Sequence, residues 1–334
     1  MKPRLVLLFL GLLALVSLAV GVMIGPVFVP WREALAAVFG HEASGEAFQA
    51  VIVRQVRLPR VLLGFFVGFS LSLSGGVMQG LFRNPLASPY VLGVASGATA
   101  GAAGVIALGF GGPVALPLGA FLGGSLVVVL VYRISRTRSG QTSPLGLILA
   151  GVALGTLFTA LTSFLLFVTA GDRRLSEILF WTMGGLSRAS WRYLWAMLPV
   201  AGAGALVLQF TARELNALAL GDEGAFHLGV APERLRRLLL GVGTLLASTA
   251  VACSGTIGFV GLVTPHVMRL LLGPDHRVLL PATALAGGVF LIWADALARV
   301  AMQPAELPLG IVTAFFGVPF FLYLLRTRLP EASG

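Results

Sequence analysis

Charge is what this 334-residue sequence holds least of: Asp, Glu, Lys and Arg together make up 11% of it. Soluble domains carry about 25% charged residues, and an apolar content of 57% puts the chain outside that class and outside disorder. Cysteine is nearly missing too. Cys253 stands alone, which excludes an intrachain disulfide and a Cys-rich metal site. Lysine is the third shortage, with Lys2 the only one among 23 basic residues. A Walker-type phosphate loop needs a lysine after its glycines to reach the β- and γ-phosphates, so this chain carries no such loop. If ATP drives it, another chain binds the ATP.

Glycine, by contrast, is abundant at 43 residues, as expected where helices approach closely in lipid. A membrane span takes about 20 mostly apolar residues to cross ~30 Å of hydrocarbon. Such runs lie at 5–24, 61–81, 90–110, 114–132, 145–170, 194–210, 238–254, 257–272, 278–300 and 309–325. They predict an all-α polytopic membrane protein of about ten transmembrane helices, with residues 1–334 as a single transmembrane domain. The first run exceeds the core of a signal peptide and reads as an uncleaved anchor. The polar stretch behind it, with Trp31, Arg32, Glu33, His41, Glu42 and Glu46, reads as a short surface helix. Gly255, Gly258, Gly261 and Pro265 predict a short or broken helix, tolerable in a bilayer only when packed inside protein.

Basic residues set orientation. Ten spans place both termini on one face, with the loops around Arg83, Arg133, Arg136, Arg138, 213–237 and 273–277, and this face holds most of the basic residues. Both ends are therefore expected in the cytoplasm. The formal charge of +10 is read as orienting arginines, with membrane lipid and not nucleic acid as the environment they meet. Glycines four apart, at Gly93, Gly97 and Gly101, and in the pairs Gly64/Gly68 and Gly76/Gly80, leave grooves for close helix packing. The longest polar connection on the positive face runs from Thr211 to Arg237, where helix formers alternate with glycines. This predicts two short helices joined by Gly221, presenting charge to a partner.

Several blocks then point to a family. Arg57-Leu58-Pro59-Arg60, Gly80 to Ala87, Leu92 to Ala98, Trp181 to Gly185, Leu218 to Val230, Gly258 to His266 and Glu306 to Gly310 resemble the permease subunit of ABC importers for ferric siderophores, heme and cobalamin. The resemblance covers almost the whole chain in order. It implies a bacterial or archaeal plasma-membrane (inner-membrane) protein that performs no covalent chemistry and needs no cofactor or metal of its own. It also implies a second copy of the chain, two cytoplasmic ATPase subunits and an extracytoplasmic substrate-binding protein.

The family's features fall on particular residues. Its coupling loop matches Arg213, Leu220, Gly221, Asp222, Glu223, His227 and Gly229, with Asp222 and Glu223 expected as surface contacts to the ATPase. Its pathway runs between the two subunits along the fifth and tenth helices. On the fifth, Thr156, Thr159 and Ser163 lie within about 60° of one another at 100° per residue. Its cytoplasmic gates match Asn84 and Leu86, and Thr142 and Ser143. Arginines that receive carboxylates of the binding protein match Arg57, Arg60 and Arg299, expected at an outer rim.

Two buried-looking polar residues have simpler readings. His266 lacks companion ligands and reads as a core histidine. Asp295 is a functional suspect as an intramembrane acid, yet Arg299 lies one helical turn away and can pair with it. An ion-coupled secondary transporter would want paired intramembrane carboxylates, so Asp295 alone supports that alternative weakly. An intramembrane enzyme would need a second reactive group near His266, and spacing offers none.

Overall fold

The structure is a computed structural model that describes residues 3–27, 29–38, 47–136 and 142–328. Lys2, His41, Glu42, Glu46 and Arg138 lie outside the described residues. Every regular element among those residues is helical. In chain order they are α1 (Pro3–Met23), α2 (Trp31–Val38), α3 (Ala47–Val51), α4 (Leu58–Leu81), α5 (Val94–Ala107), α6 (Ala115–Ser135), α7 (Pro144–Val168) and α8 (Arg173–Thr182). Then follow α9 (Trp191–Phe210), α10 (Ala212–Leu218), α11 (Asp222–His227), α12 (Pro232–Ser254), α13 (Val260–Leu272), α14 (His276–Val300) and α15 (Leu309–Arg328).

Seven of these segments are long and apolar enough to cross a membrane, and three shorter apolar helices, within α5, α13 and α15, complete the expected set. α5 is shorter than its apolar run. The chain first makes a tight turn at Pro89–Leu92, then passes through Gly93 at φ +83° before α5 begins. Fourteen residues at about 1.5 Å each fall short of the hydrocarbon thickness, as for α13, and both helices lean on neighbours rather than on lipid. Two helical stretches went unforeseen. One is the π-helical Ile52–Arg57 leading into α4; the other is α8, which buries Ile178 and Trp181 and packs against α5.

The core forms around α4, α12 and α14. In the most apolar stretch of the α4 segment 83% of residues are buried, against 17% for α7. Glycine is what permits the burial of α4. A Cβ at Gly75 would sit 1.7 Å from the Gly261 carbonyl oxygen of α13, and one at Gly68 would sit 2.2 Å from that of Gly287 in α14. Backbone touches backbone there, which only a residue without a side chain allows. The spacing of Gly97 and Gly101 serves the same end, against Gly123 and Gly119 of α6. α7 instead leaves Leu145, Leu149, Val152, Leu157, Phe164 and Phe167 exposed.

Candidate functional site

Three places gather the residues singled out above. The first is an open cavity of about 870 Å³. Its wall is built from Gly151, Val152, Gly155, Thr156 and Thr159 of α7, Gly310, Ile311 and Ala314 of α15, and Tyr90, Ser96 and Thr99 around the start of α5. The fifth and tenth spans thus meet here, joined by the third. Thr156 and Thr159 line the cavity; Ser163 is exposed on the same helix but lies beyond the lining.

All three hydroxyls donate to the carbonyl one turn back, at 2.9, 2.9 and 3.1 Å. Tyr90 donates its hydroxyl to Ile257 O at 2.8 Å, and Thr256 donates to Thr182 O. The polar side-chain hydrogens of this wall are already engaged within the chain, and no charged side chain is among its described lining residues. Such a surface offers methyl groups and lone pairs, and holds no fixed charge that would grip a ligand.

The second place is the face carrying α10 and α11. The chain reverses through Gly221, whose φ of +105° suits glycine, so the two-helix pattern read from the sequence is the geometry observed. Leu215, Leu218 and Ala225 anchor the pair in the core. Arg213, Glu223, His227 and Gly229 are exposed. So are Leu220, Phe226 and Leu228, at 71%, 70% and 62%. Phe226 and Leu228 were not singled out from the sequence, although apolar residues in so polar a loop are a signal in themselves.

Asp222 departs from expectation. It stands at the surface, but paired and not free: it accepts Arg83 Nη2 at 3.0 Å and Arg236 Nη2 at 2.9 Å on each carboxylate oxygen. Its neighbour Glu223 remains exposed. The gate positions lie beside this group. Asn84 Oδ1 accepts from Leu86 N at 2.9 Å, an ordinary turn after α4. Ser143 caps α7 by accepting from Gly146 N. Thr142 is buried, donating its backbone N–H and its hydroxyl to Glu233.

Further along this face, Asp275 caps α14. The hydrogen bond from Arg277, with a smaller contribution from Asn216, holds its carboxyl well below the usual carboxylate range.

The third place is the opposite end of α4. Arg57, Arg60 and Arg299 were expected at an exposed rim, yet they are 4%, 8% and 3% exposed. Arg60 grips Asp295 through Nε and Nη2 at 2.9–3.2 Å and reaches Glu306 at 2.9 Å. Arg299 pairs with the same Asp295 at 3.0 Å and donates to the carbonyls of Gly21 and Ile24. Arg57 donates to the carbonyls of Val22, Met23 and Val27. The physical reason is plain: the open end of α1 presents carbonyls without helical partners, and guanidinium groups satisfy them. His266 is buried, edge-on to Phe320 at 6.5 Å between ring centroids.

Against known proteins, the model of the FecCD transport family matches residues 12–327. The chain is 48% identical over 278 residues to the cobalamin import system permease BtuC of Halobacterium salinarum, covering 83% of this chain and 74% of that one. It is 39% identical over 343 residues to the hemin transport system permease HmuU of Yersinia pestis, covering 100% and 98%. Among solved structures, a metal-chelate type ABC transporter in an inward-facing conformation matches with a TM-score of 0.84 at 34% identity, over 97% and 99% of the two chains. The all-helical architecture, the missing phosphate loop and a match along nearly the whole length agree, and the chain belongs to the FecCD transport family, the multi-pass plasma-membrane permease subunits of ABC transporters whose ATP hydrolysis resides on a separate chain.

Proposed function

We propose that this chain forms, with a second copy of itself, the membrane path of an ATP-driven importer of an iron chelate or cobalamin. The carrying observation is the cavity between α7 and α15, whose wall is free of charge and whose hydroxyls are bonded internally. A large chelate needs a wall it can slide along, and this one suits it. The second copy would cover the apolar face of α7, which the chain itself leaves bare. Asp295 is committed to two arginines, which removes the one acid that favoured ion coupling.

In this reading α10 and α11 dock the ATPase in the cytoplasm, through exposed Leu220, Phe226 and Leu228 with Arg213, Glu223 and His227 around them. Both termini would then be cytoplasmic, with Asn84, Leu86, Thr142 and Ser143 closing the path on that side. The binding protein would dock at the other end, where three arginines face two acids and half-exposed Glu306 can yield Arg60 to an incoming carboxylate.

Replacing Leu220 and Phe226 by aspartate removes the apolar contact and leaves Asp222 in place. The ATPase should no longer copurify, while the permease dimer survives in detergent. Undiminished copurification would sink the docking assignment.

A further inference from the structure

The Asp222 group has a shape that docking alone does not account for. Asp222 belongs to α11, Arg236 and Glu233 to the first turns of α12, and Thr142 lies two residues before α7, next to its cap Ser143. Arg236 places Nη2 on both Asp222 oxygens at 2.9 Å, while Nη1 reaches Glu233 Oε2 at 3.2 Å and Thr142 O at 3.3 Å. Glu233 in turn accepts from Thr142 N at 3.1 Å and from its hydroxyl. On the other side Asp222 holds Arg83, which adopts the left-handed φ of +48° in the turn after α4. That is an uncommon backbone for a residue with a side chain.

These contacts join three segments to one another through α12, and each has a consequence. α11 lies on the exposed loop. α7 carries Thr156 and Thr159 into the cavity. The turn after α4 leads to Pro89–Leu92 and Tyr90, also at the cavity wall. Between the first two stands one rigid group, since a guanidinium is planar and its two outer nitrogens cannot move independently.

The energetics argue against a mere strut. The Arg236 side chain is 4% exposed, and its Nε is buried with no hydrogen-bond partner. A buried guanidinium with an unmet donor, held by acids that stay partly in water, is weak as a source of stability, and an apolar residue of similar volume often serves better. The group therefore earns its place by geometry.

We propose that Arg236 is the positioning residue that carries movement of α11 to the start of α7. When α11 shifts, Asp222 drags the guanidinium fork, and Glu233 and Thr142 follow or are released. The head of the cavity-lining helix then moves with the loop. Asp222, half-exposed itself, is accordingly the inner end of this connection, and the ATPase contact falls mainly to its neighbours on the loop. The inference rests on the functional reading above, in which α11 meets the ATPase.

The test uses the assembled complex in lipid nanodiscs, with Thr159→Cys in a Cys253→Ala background and a small water-soluble methanethiosulfonate reagent. Labelling is compared without nucleotide and with ATP trapped by vanadate. Allosteric coupling typically spans about 5–150-fold, so the unaltered relay should change the labelling rate by about fivefold or more. Arg236→Gln and Glu233→Gln should each lose this change while the ATPase still copurifies and hydrolyses ATP. Arg236→Lys should recover it only in part, because an ammonium cannot span both carboxylates as a fork does. The double variant should be no worse than either single one.

Should Arg236→Gln fail to assemble, Glu233→Gln carries the test alone, since it changes one atom type and no volume. A full nucleotide response in these variants overturns the relay. Loss of the ATPase from either one, with the permease folded, makes the group part of the dock and also overturns it. If the parent protein shows no nucleotide response and binds no ATPase, the functional reading fails first, and the relay with it.

Discussion

Two clusters of arginine and carboxylate sit at opposite ends of α4, and they are built in opposite ways. At the Arg60 end, Asp295 and Arg299 are each 3% exposed at the side chain. Arg57 and Arg299 direct their other donors to fixed backbone carbonyls of α1 and the loop behind it, and Arg60 directs its own to half-exposed Glu306. At the Arg83 end, Asp222 is 52% exposed and Arg83 44%, with only Arg236 sealed. The first cluster ties α1, α4 and α14 into one body, and only its Glu306 edge is open to water. The second ties three segments through acids that water can also satisfy, so its bonds can exchange at small cost. A sealed cluster resists motion; a half-solvated one permits it. The difference places rigidity at one end of the molecule and freedom at the other.

The sharpest way to break this comparison is to remove one carboxylate from each end. Asp295→Asn leaves Arg60 and Arg299 buried with Glu306 as their only acid among the described residues, and breaking a buried pair from one side costs about 3–5 kcal/mol. Asp222→Asn acts on a half-exposed pair and should cost about 0–1 kcal/mol of stability. Thermal unfolding of the purified permease in detergent reads both. Equal losses would mean the two clusters do the same job.

The rigid half can be probed away from charge as well. Gly75→Ala drives a methyl into the Gly261 carbonyl, and with backbone on both sides the helices must part. Overpacking of this kind costs about 1–3 kcal/mol, occasionally more. Gly241 of α12 has nothing within 4 Å of an added Cβ, so Gly241→Ala should be neutral or stabilise by about 0.5–1 kcal/mol. If both substitutions prove harmless, α4 is not wedged as described.

Patterning explains what the sequence disclosed and what it hid. Ten apolar runs were readable because lipid imposes a minimum length on every span, and Gly221 was readable because a reversal between two helix-forming stretches needs it. The shortness of α5 was not, since its apolar run continues through a turn that hydropathy does not distinguish. The arginines of 57–60 were placed at a rim because a positive charge looks exposed until its partners are known. Those partners are backbone carbonyls from α1 and an acid 235 positions away, which no local pattern reveals. Glu233 and Arg236 carried a faint signal, an ion pair at i, i+3 in the first turns of a helix. Their link to Thr142 and Asp222 is purely tertiary.

The smallest expected effect concerns Asp275, on the same face as the relay but bonded to α10. It caps α14 by accepting from Arg277 N at 3.1 Å, takes the Arg277 guanidinium at 2.7 Å, and accepts Asn216 Nδ2 of α10 at 2.7 Å. Asp275→Ala removes a cap and should cost about 1 kcal/mol. Asp275→Asn can keep one capping oxygen but removes the charge and one of the two acceptors that Arg277 uses, and because that pair is exposed the loss should be the smaller of the two. The sign of its pH dependence follows from the depressed carboxyl. A group held below its unfolded value of about 3.9 contributes fully above that pH, and its contribution fades as pH falls toward the folded value. The gap in unfolding temperature between the parent and Asp275→Asn should therefore be constant from neutral pH to about pH 5 and narrow below about pH 4. A gap that stays the same across this window would show that Asp275 holds α10 to α14 by its oxygen geometry alone, with no part played by its charge.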